Sequence, residues 1–215
     1  MSKYKLFIND KENNLNKDKL RIYVDFDSTI CNTSLSLINC WNELNPNNKI
    51  KYTKEHDWNF YPMVKDRGQL KELFKMFDRK EFYSDRNFRW VDSSVKQVLD
   101  KLIEYNCEVV IVTKHKESRK PLTKQFIENQ FGDKIKVIFT DDFNKSKYIE
   151  GKCDIFIDDR IDACEDVLQS GKSKEVLCFG EYDWNNVWNV GRFTDWEGLW
   201  FYIVGMYGDR LYKTI

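Results

Sequence analysis

The chain carries no surplus of charge: Lys+Arg and Asp+Glu both number 35, so the net charge is zero. A neutral chain exerts no global pull on nucleic acid or on an anionic membrane, although local patches remain available to it. No apolar run approaches the roughly 20 residues needed to span a bilayer. The stretch from Met1 to Lys19 is polar and lacks the apolar segment of a signal peptide. Histidine is scarce: His56 and His115 are the two present, and neither is spaced for zinc. Six cysteines (31, 40, 107, 153, 164 and 178) form no C-x-x-C pair. Cys107, Cys153 and Cys178 fall in or beside apolar runs, where a free thiol behaves as a small core group. These absences place the chain in a reducing cytoplasm, with no membrane partner and with nucleic acid disfavoured as a partner. The sequon Asn32-Thr33-Ser34 then reads as coincidence.

What is present is aromatic and periodic. Aromatics make up 15% of 215 residues, which demands a large core or exposed stacking surfaces. The length suits one domain, or one domain with a sizeable insertion. Arg21-Ile22-Tyr23-Val24 is a short apolar strand running into Asp25-Phe26-Asp27-Ser28-Thr29. Two carboxylates spaced two apart at a strand end converge in front of a sheet and repel unless a cation lies between them. The pair therefore implies Mg²⁺ or a similar hard ion. Two further apolar runs end alike: Glu108 to Val112 ends on Thr113, and Cys153 to Ile157 ends on Asp158-Asp159.

Elsewhere the pattern is regular. Apolar positions at Leu35, Ile38, Trp41 and Leu44 predict a helix stopped by Asn45-Pro46. Leu70, Leu73, Phe74 and Phe77 predict a second, and Val95, Val98, Leu99 and Leu102 a third with Asp92-Ser93 as its N-cap. Strands at 108–112, 135–139, 154–157 and 175–179 alternate with helices near 119–131, 145–150 and 161–169, Gly132 and Gly171 ending the first and last. This alternation implies right-handed βαβ units and a parallel sheet. Trp196, Leu199, Trp200 and Ile203 predict a C-terminal helix packed on it. Tyr4 to Ile8 is an extra strand or a tail. With the first strand at the centre, and 108–112 and 154–157 beside it, Asp25, Thr113 and Asp158 share one edge, where doubly wound sheets bind ligands.

In this order the motifs Asp25-x-Asp27-x-Thr29, Thr113, a downstream lysine and Asp158-Asp159 resemble the four motifs of the haloacid dehalogenase (HAD) superfamily, over roughly residues 21–180. The resemblance implies a Rossmann-like doubly wound α/β core and phosphoryl transfer through an aspartyl-phosphate. Asp25 would be the nucleophile. Mg²⁺ would be held by Asp25, the backbone carbonyl of Asp27, and Asp158 or Asp159. Asp27 would protonate the leaving oxygen and then activate water, its proton retained through crowding by other carboxylates. Thr113 would donate to the phosphoryl group. The motif lysine is Lys147 or Lys145, which lie 11 and 13 residues before Asp158; the shorter gap favours Lys147. Relatives that are dehalogenases or transport ATPases lack the second aspartate, so Asp27 points to a phosphatase, with a phosphomutase as the lesser alternative.

The 85 residues between Asp27 and Thr113 exceed what one helix needs. They match the position of a superfamily cap, giving a core of 1–30 and 91–215 and a small helical cap at 31–90. The cap is dense in aromatics, with Trp58, Phe60, Tyr61, Phe82, Tyr83, Phe88 and Trp90. Aromatic faces stack on nucleobases, so Trp58, Phe60, Tyr61 and Trp90 are candidate base contacts, and Lys114 a candidate phosphate contact or a solvated lysine. Length, cap position and the endings Ile-Asp-Asp-Arg and Trp-Glu-Gly-Leu make the chain similar to the 5′(3′)-deoxyribonucleotidase family. That implies hydrolysis of (deoxy)nucleoside monophosphates; the sequence leaves the oligomeric state open, a homodimer being one option. A phosphatase of nucleic-acid ends or of another small phosphate ester, and a non-catalytic nucleotide-binding module, are the alternatives.

Overall fold

A computed structural model of the protein describes residues 19–53, 60–188 and 190–212. Its centre is a six-stranded, all-parallel sheet of order β3-β2-β1-β4-β5-β6. The strands are β1 (Arg21–Val24), β2 (Glu108–Thr113), β3 (Ile135–Phe139), β4 (Cys153–Asp158), β5 (Ser173–Phe179) and β6 (Arg192–Phe193). Parallel strands must be covered on both faces, so the central ones read as continuous apolar runs. Every residue of β4 is buried. Side chains alternate between two layers: Ile22, Val24, Val109, Ile111, Ile155 and Ile157 join one core, while Tyr23, Val110, Val112 and Phe156 join the other.

The helices are α1 (Thr33–Leu44), α2 (Arg67–Phe74), α3 (Val95–Glu104), α4 (Lys120–Phe131), α5 (Ile161–Ser170) and α6 (Trp196–Leu211). Their apolar stripes decide which face they cover. Leu99 and Leu102 of α3, Ile127 of α4 and Leu199 and Ile203 of α6 enter the larger core, whereas Ala163, Cys164 and Val167 of α5 enter the smaller. Short polar residues start three of them: the side chains of Asn32, Asp66 and Asp195 accept from Leu35 N, Gln69 N and Gly198 N at 3.1, 2.8 and 2.7 Å. Gly132 and Gly171 end α4 and α5 with φ of +66° and +63°, a backbone that a side chain resists.

The predicted α/β doubly wound sheet is therefore the observed fold, with β1 flanked by β2 and β4. Four local expectations change. The helix expected near 145–150 is one 3-10 turn, Lys145–Tyr148, because Gly151 follows too soon for a longer element. The segment through Phe77 leaves α-helical geometry at Phe74 and continues as 3-10 turns Lys75–Asp78 and Lys80–Tyr83. Asp92 does not cap α3, whose N-cap is Ser94 without a side-chain bond. Its carboxylate instead accepts from Ser94 N at 2.7 Å and from Trp196 N at 2.9 Å, tying the start of α3 to α6. Strand β6 is additional, and too short to show a pattern. The patch Tyr4 to Ile8 lies outside the described residues.

Between β1 and α3 the chain makes α1, α2 and the two 3-10 turns. Leu37, Ile38, Leu73, Phe82 and Phe88 from this insert are continuous with the apolar core under the sheet. All six cysteines are free and buried. Among the described residues no helix is long and apolar enough to cross a membrane.

Candidate active site

Parallel pairing decides what meets at the strand ends. Val24 of β1 pairs with Ile157 of β4 and Ile111 of β2, and Asp25 N donates to Ile157 O at 2.9 Å. One more residue along each strand brings Asp25 beside Asp158. Oxygens of Asp25, Asp158 and Asp159 lie within 4.8 Å of one another, and all three residues are buried.

Lys145 enters this cluster from its 3-10 turn, only 1% exposed. Its Nζ donates to Asp158 Oδ2 at 2.7 Å and to Asp25 Oδ1. The turn is held by α5, where Asp166 accepts from Ser146 N at 2.7 Å and from Ser146 Oγ at 3.0 Å. Lys147, favoured from spacing, lies on the outside of the same turn and pairs with Asp142 at 2.7 Å, both half-exposed. In a turn of three residues per revolution, positions two apart cannot share a face. Lys145, not Lys147, therefore reaches the carboxylates.

Burial raises the Asp25 carboxyl to about 6; Lys145 opposes the rise, and Asp158 adds to it. The Asp159 carboxyl is raised more strongly, first by burial and then by the charges of Asp158 and Asp25. Three carboxyl groups against one ammonium are hard oxygen donors whose full ionisation needs a further positive charge, a set that suits a divalent cation such as Mg²⁺. Asp159 is further oriented from the C-terminal segment. Trp184 Nε1 donates to its Oδ2 at 2.9 Å and Asn185 Nδ2 to its backbone carbonyl at 2.9 Å. Tyr182 stacks on Trp184 with ring centroids 4.4 Å apart, and donates from its hydroxyl to Ser28 O at 2.8 Å.

Asp27 meets a different environment from the crowded carboxylates expected. A fork from Arg119 holds it, with Nη2 to Oδ1 at 2.7 Å and Nη1 to Oδ2 at 2.8 Å. Thr33 Oγ1 donates to Oδ1 at 2.8 Å, and His115 Nε2 lies 3.0 Å from Oδ2. Burial alone would raise this carboxyl, but the Arg119 guanidinium and His115 hold it well below the usual carboxylate range. The expectation that Asp27 retains a proton is thereby reversed: it stands as an ionised carboxylate with both oxygens engaged.

The partners of Asp27 close a ring. Arg119 Nε donates to Tyr83 Oη at 3.0 Å, Tyr83 Oη lies 2.6 Å from Thr123 Oγ1, and Thr123 Oγ1 lies 2.9 Å from His115 Nδ1. The Arg119 guanidinium also packs over Phe77 and Phe82, 4.4 and 5.3 Å from the ring centroids. Neither Arg119 nor His115 was selected from the sequence. The available signal was positional, two basic residues between the strand end at Thr113 and the helix that follows.

Above these residues opens a pocket of about 700 Å³. Asp25, Asp27, Thr113 and Asp159 line its floor, and Phe74, Phe77, Lys114, Arg119, Phe143 and Arg160 are among its walls. Thr113 Oγ1 lies 3.4 Å from His115 Nε2. Lys114 Nζ and the Arg160 guanidinium stand 4.0 and 3.9 Å from the Phe143 ring centroid. Of the aromatic candidates, Phe60 is fully buried against Phe74, and Trp90 packs on Phe88 and Phe126. Tyr61 is exposed at 50% and does not line the pocket. Trp58 lies outside the described residues. Phe60 and Trp90 are spent on the core, and Phe74, Phe77 and Phe143 take the place expected of them.

No protein-family model and no curated protein sequence matches the chain. Solved structures do. A protein assigned as a HAD-hydrolase, YfnB of Bacillus subtilis, bound to magnesium, superposes with a TM-score of 0.58 at 11% identity over 86% of this chain and 99% of its own. A haloacid dehalogenase-like protein of Agrobacterium tumefaciens gives 0.53 at 10% identity, covering 87% and 99%. A HAD family hydrolase of Deinococcus radiodurans with bound phosphate and sodium gives 0.52 at 10%, covering 90% and 97%. The chain has the fold of these HAD hydrolases.

Proposed function

We propose that the protein is a Mg²⁺-dependent phosphatase that hydrolyses (deoxy)nucleoside monophosphates through an aspartyl-phosphate on Asp25. One observation carries this reading: Asp25, Asp159 and Lys145, on the floor of a single pocket, converge with the buried Asp158 behind them. The magnesium and the phosphate bound by two proteins of the same fold support it. Asp25, Asp158, Asp159 and the backbone carbonyl of Asp27 would hold the metal. Bound there, Mg²⁺ would supply charge neutralisation for the phosphoryl oxygens.

The chain's own groups divide the work. Asp25 bonds to phosphorus as the ester P–O bond breaks, and the leaving oxygen takes its proton from a solvent water, because Asp27 is ionised. Water then displaces the phosphate from Asp25, and the ionised Asp27 accepts the proton that water gives up and returns it to solvent. Lys145 keeps Asp25 aimed and screens it from Asp158, and Thr113 donates to the phosphoryl group. The insert at 31–90 acts as the cap, contributing Phe74 and Phe77. Size and lining support a nucleotide: about 700 Å³, with aromatic faces and cations in the walls, suits a planar, anionic substrate.

Phosphate release from a panel of mononucleotides, a 3′-phosphorylated oligonucleotide and small phosphate esters, with and without Mg²⁺, tests this reading. Turnover of monophosphates only with metal, abolished in Asp25→Asn with the fold retained, is the expected result. Turnover confined to another ester would remove the nucleotide assignment, and wild-type activity in Asp25→Asn would remove the nucleophile.

A further inference from the structure

Two of the groups assigned to the metal come from different strands, and one short segment after β5 touches the surroundings of both. The Asp27 carbonyl lies in the turn that follows β1, and the Asp159 carboxylate stands just past the end of β4. Ser28 holds that turn in the left-handed region, with φ of +58°, a conformation that a side chain resists. Its N–H donates to Cys31 O at 2.8 Å and to Thr33 Oγ1 at 3.1 Å. A trans peptide points its carbonyl opposite to its N–H, so these bonds fix the direction of the Asp27 carbonyl. The Ser28 carbonyl, on the other side of the same Cα, accepts from the Tyr182 hydroxyl at 2.8 Å. Tyr182 is itself seated. Its ring lies so close over Gly180 that a side chain at 180 would collide with it. Its N–H donates to Asn185 Oδ1 and its carbonyl accepts from Asn185 N, both at 3.0 Å, which closes residues 182–185 into a turn. Asn185 is anchored in turn to the carbonyls of Asp159 and Phe179, both at 2.9 Å. The turn lays Trp184 on Tyr182, 5° from parallel, while Trp184 Nε1 donates to Asp159 Oδ2. One stacked pair thus reaches Ser28 with one ring and Asp159 with the other.

We propose that Tyr182 is a positioning residue for the cation site, coupled through Trp184, so that the turn at Ser28 and the Asp159 carboxylate are held as one unit. This rests on the Mg²⁺-dependent reading above and adds to it a residue that is not itself a ligand. Ligands drawn from two strands hold a small octahedral ion well only if their spacing is fixed, and Mg²⁺ tolerates little departure from its short bonds. Tyr182 and Trp184 set that spacing from outside. Loss of either hydrogen bond releases it, so loss of the second adds little.

The test is a double-mutant cycle read in metal affinity rather than in activity. Mn²⁺ is the probe, an ion that also takes carboxylate, carbonyl and water ligands and whose free form is counted by electron paramagnetic resonance. Tyr182→Phe keeps the ring stack and loses the bond to Ser28. Trp184→Phe keeps a ring and loses the bond to Asp159. Each is expected to weaken Mn²⁺ binding by about 10-fold, and the double variant by about 10- to 20-fold rather than the roughly 100-fold of independent effects. A double variant weakened by about 100-fold would overturn the coupling. Unchanged affinity in Tyr182→Phe would overturn the positioning role, even with a lowered melting temperature. Tyr202→Phe, which removes a tyrosine hydroxyl from Glu175 of β5, is the control and is expected to bind Mn²⁺ as wild type does. An equal loss in that control would make the effect a general one and overturn the proposal. A wild-type protein that binds no Mn²⁺ would remove the metal reading itself. The metal-free crystal structure of Tyr182→Phe then decides the placement: the Asp27 carbonyl is expected to shift relative to the Asp159 carboxylate by on the order of 0.5 Å, and an unmoved pair would overturn it.

Discussion

Lys145 Nζ stands 2.7 Å from Asp158 Oδ2 while also donating to Asp25, so one buried ammonium ties together the ends of two neighbouring strands. Lys147, two residues on, faces solvent against Asp142. Replacing each lysine separates the two positions. Lys145→Ala leaves two buried carboxylates without their counter-charge, which costs about 3–5 kcal/mol in metal-free buffer. Phosphatase activity is expected to fall by about 100-fold or more with it. Lys147→Ala removes a surface pair and is expected to change stability by less than about 1 kcal/mol and activity very little. Urea unfolding and phosphate release on both variants check this, and the reverse order of effects would reassign the lysine.

Asp166 orients Lys145 without touching the pocket. Its carboxylate takes both the N–H and the hydroxyl of Ser146. Asp166→Ala frees the turn that carries Lys145, and is expected to lower kcat by about 10-fold through misplacement of the lysine, with KM little changed. Ser146→Ala removes only the hydroxyl bond and is expected to do less. Steady-state kinetics of the pair are the measurement, and a larger effect in Ser146→Ala would contradict it.

Metal binding to the carboxylates of Asp25, Asp158 and Asp159 is expected to appear in stability. Excess Mg²⁺ at about 100 times its dissociation constant raises unfolding free energy by roughly 2.7 kcal/mol when only the folded state binds. Trp184→Phe removes the donor to Asp159 Oδ2 and leaves an aromatic ring to stack on Tyr182. Outer partners of metal ligands commonly contribute 10–100-fold in affinity, so this variant is expected to require about ten times more Mg²⁺ for the same shift. Thermal unfolding across an Mg²⁺ titration reads this directly. An undiminished shift in Trp184→Phe would show that the tryptophan does not support the site.

Far from the pocket, Asp154 accepts from Arg21 N at 2.9 Å and pairs with Arg210 at 2.6 Å and Lys174 at 2.9 Å. Burial would raise its carboxyl, but bonds from Arg210, Arg21 and Lys174 outweigh that and lower it. A carboxyl lowered on folding adds stability that is fully present above its unfolded value, about 3.9, and lost as pH falls through the lower folded value. Asp154→Asn is therefore expected to be less stable than wild type at pH 7, with the gap closing as the pH falls below about 4. Urea unfolding of both proteins from pH 7 to pH 3 gives the comparison; a gap that widens in acid would contradict the sign.

Much of this architecture is written in the chain. Runs such as Val109–Val112 and Ile155–Ile157 are apolar throughout because parallel strands are covered on both faces, and Gly132 and Gly171 mark helix ends because the backbone turns left-handed there. The placement of Asp25 and Asp158 at strand ends follows from the same strand pattern, so the acidic cluster beneath the pocket could be read before any coordinates. What tertiary structure alone decided are the partners that come from elsewhere. Which lysine turns inward depends on a 3-10 turn anchored by Asp166 on a different helix. Asp27 is ionised because Arg119 and His115, 92 and 88 positions away, fold against it. Phe60 and Trp90 went to the core while Phe74, Phe77 and Phe143 reached the pocket. Local spacing records periodicity, which the backbone imposes residue by residue; charge pairing and burial are settled only when distant segments are packed together.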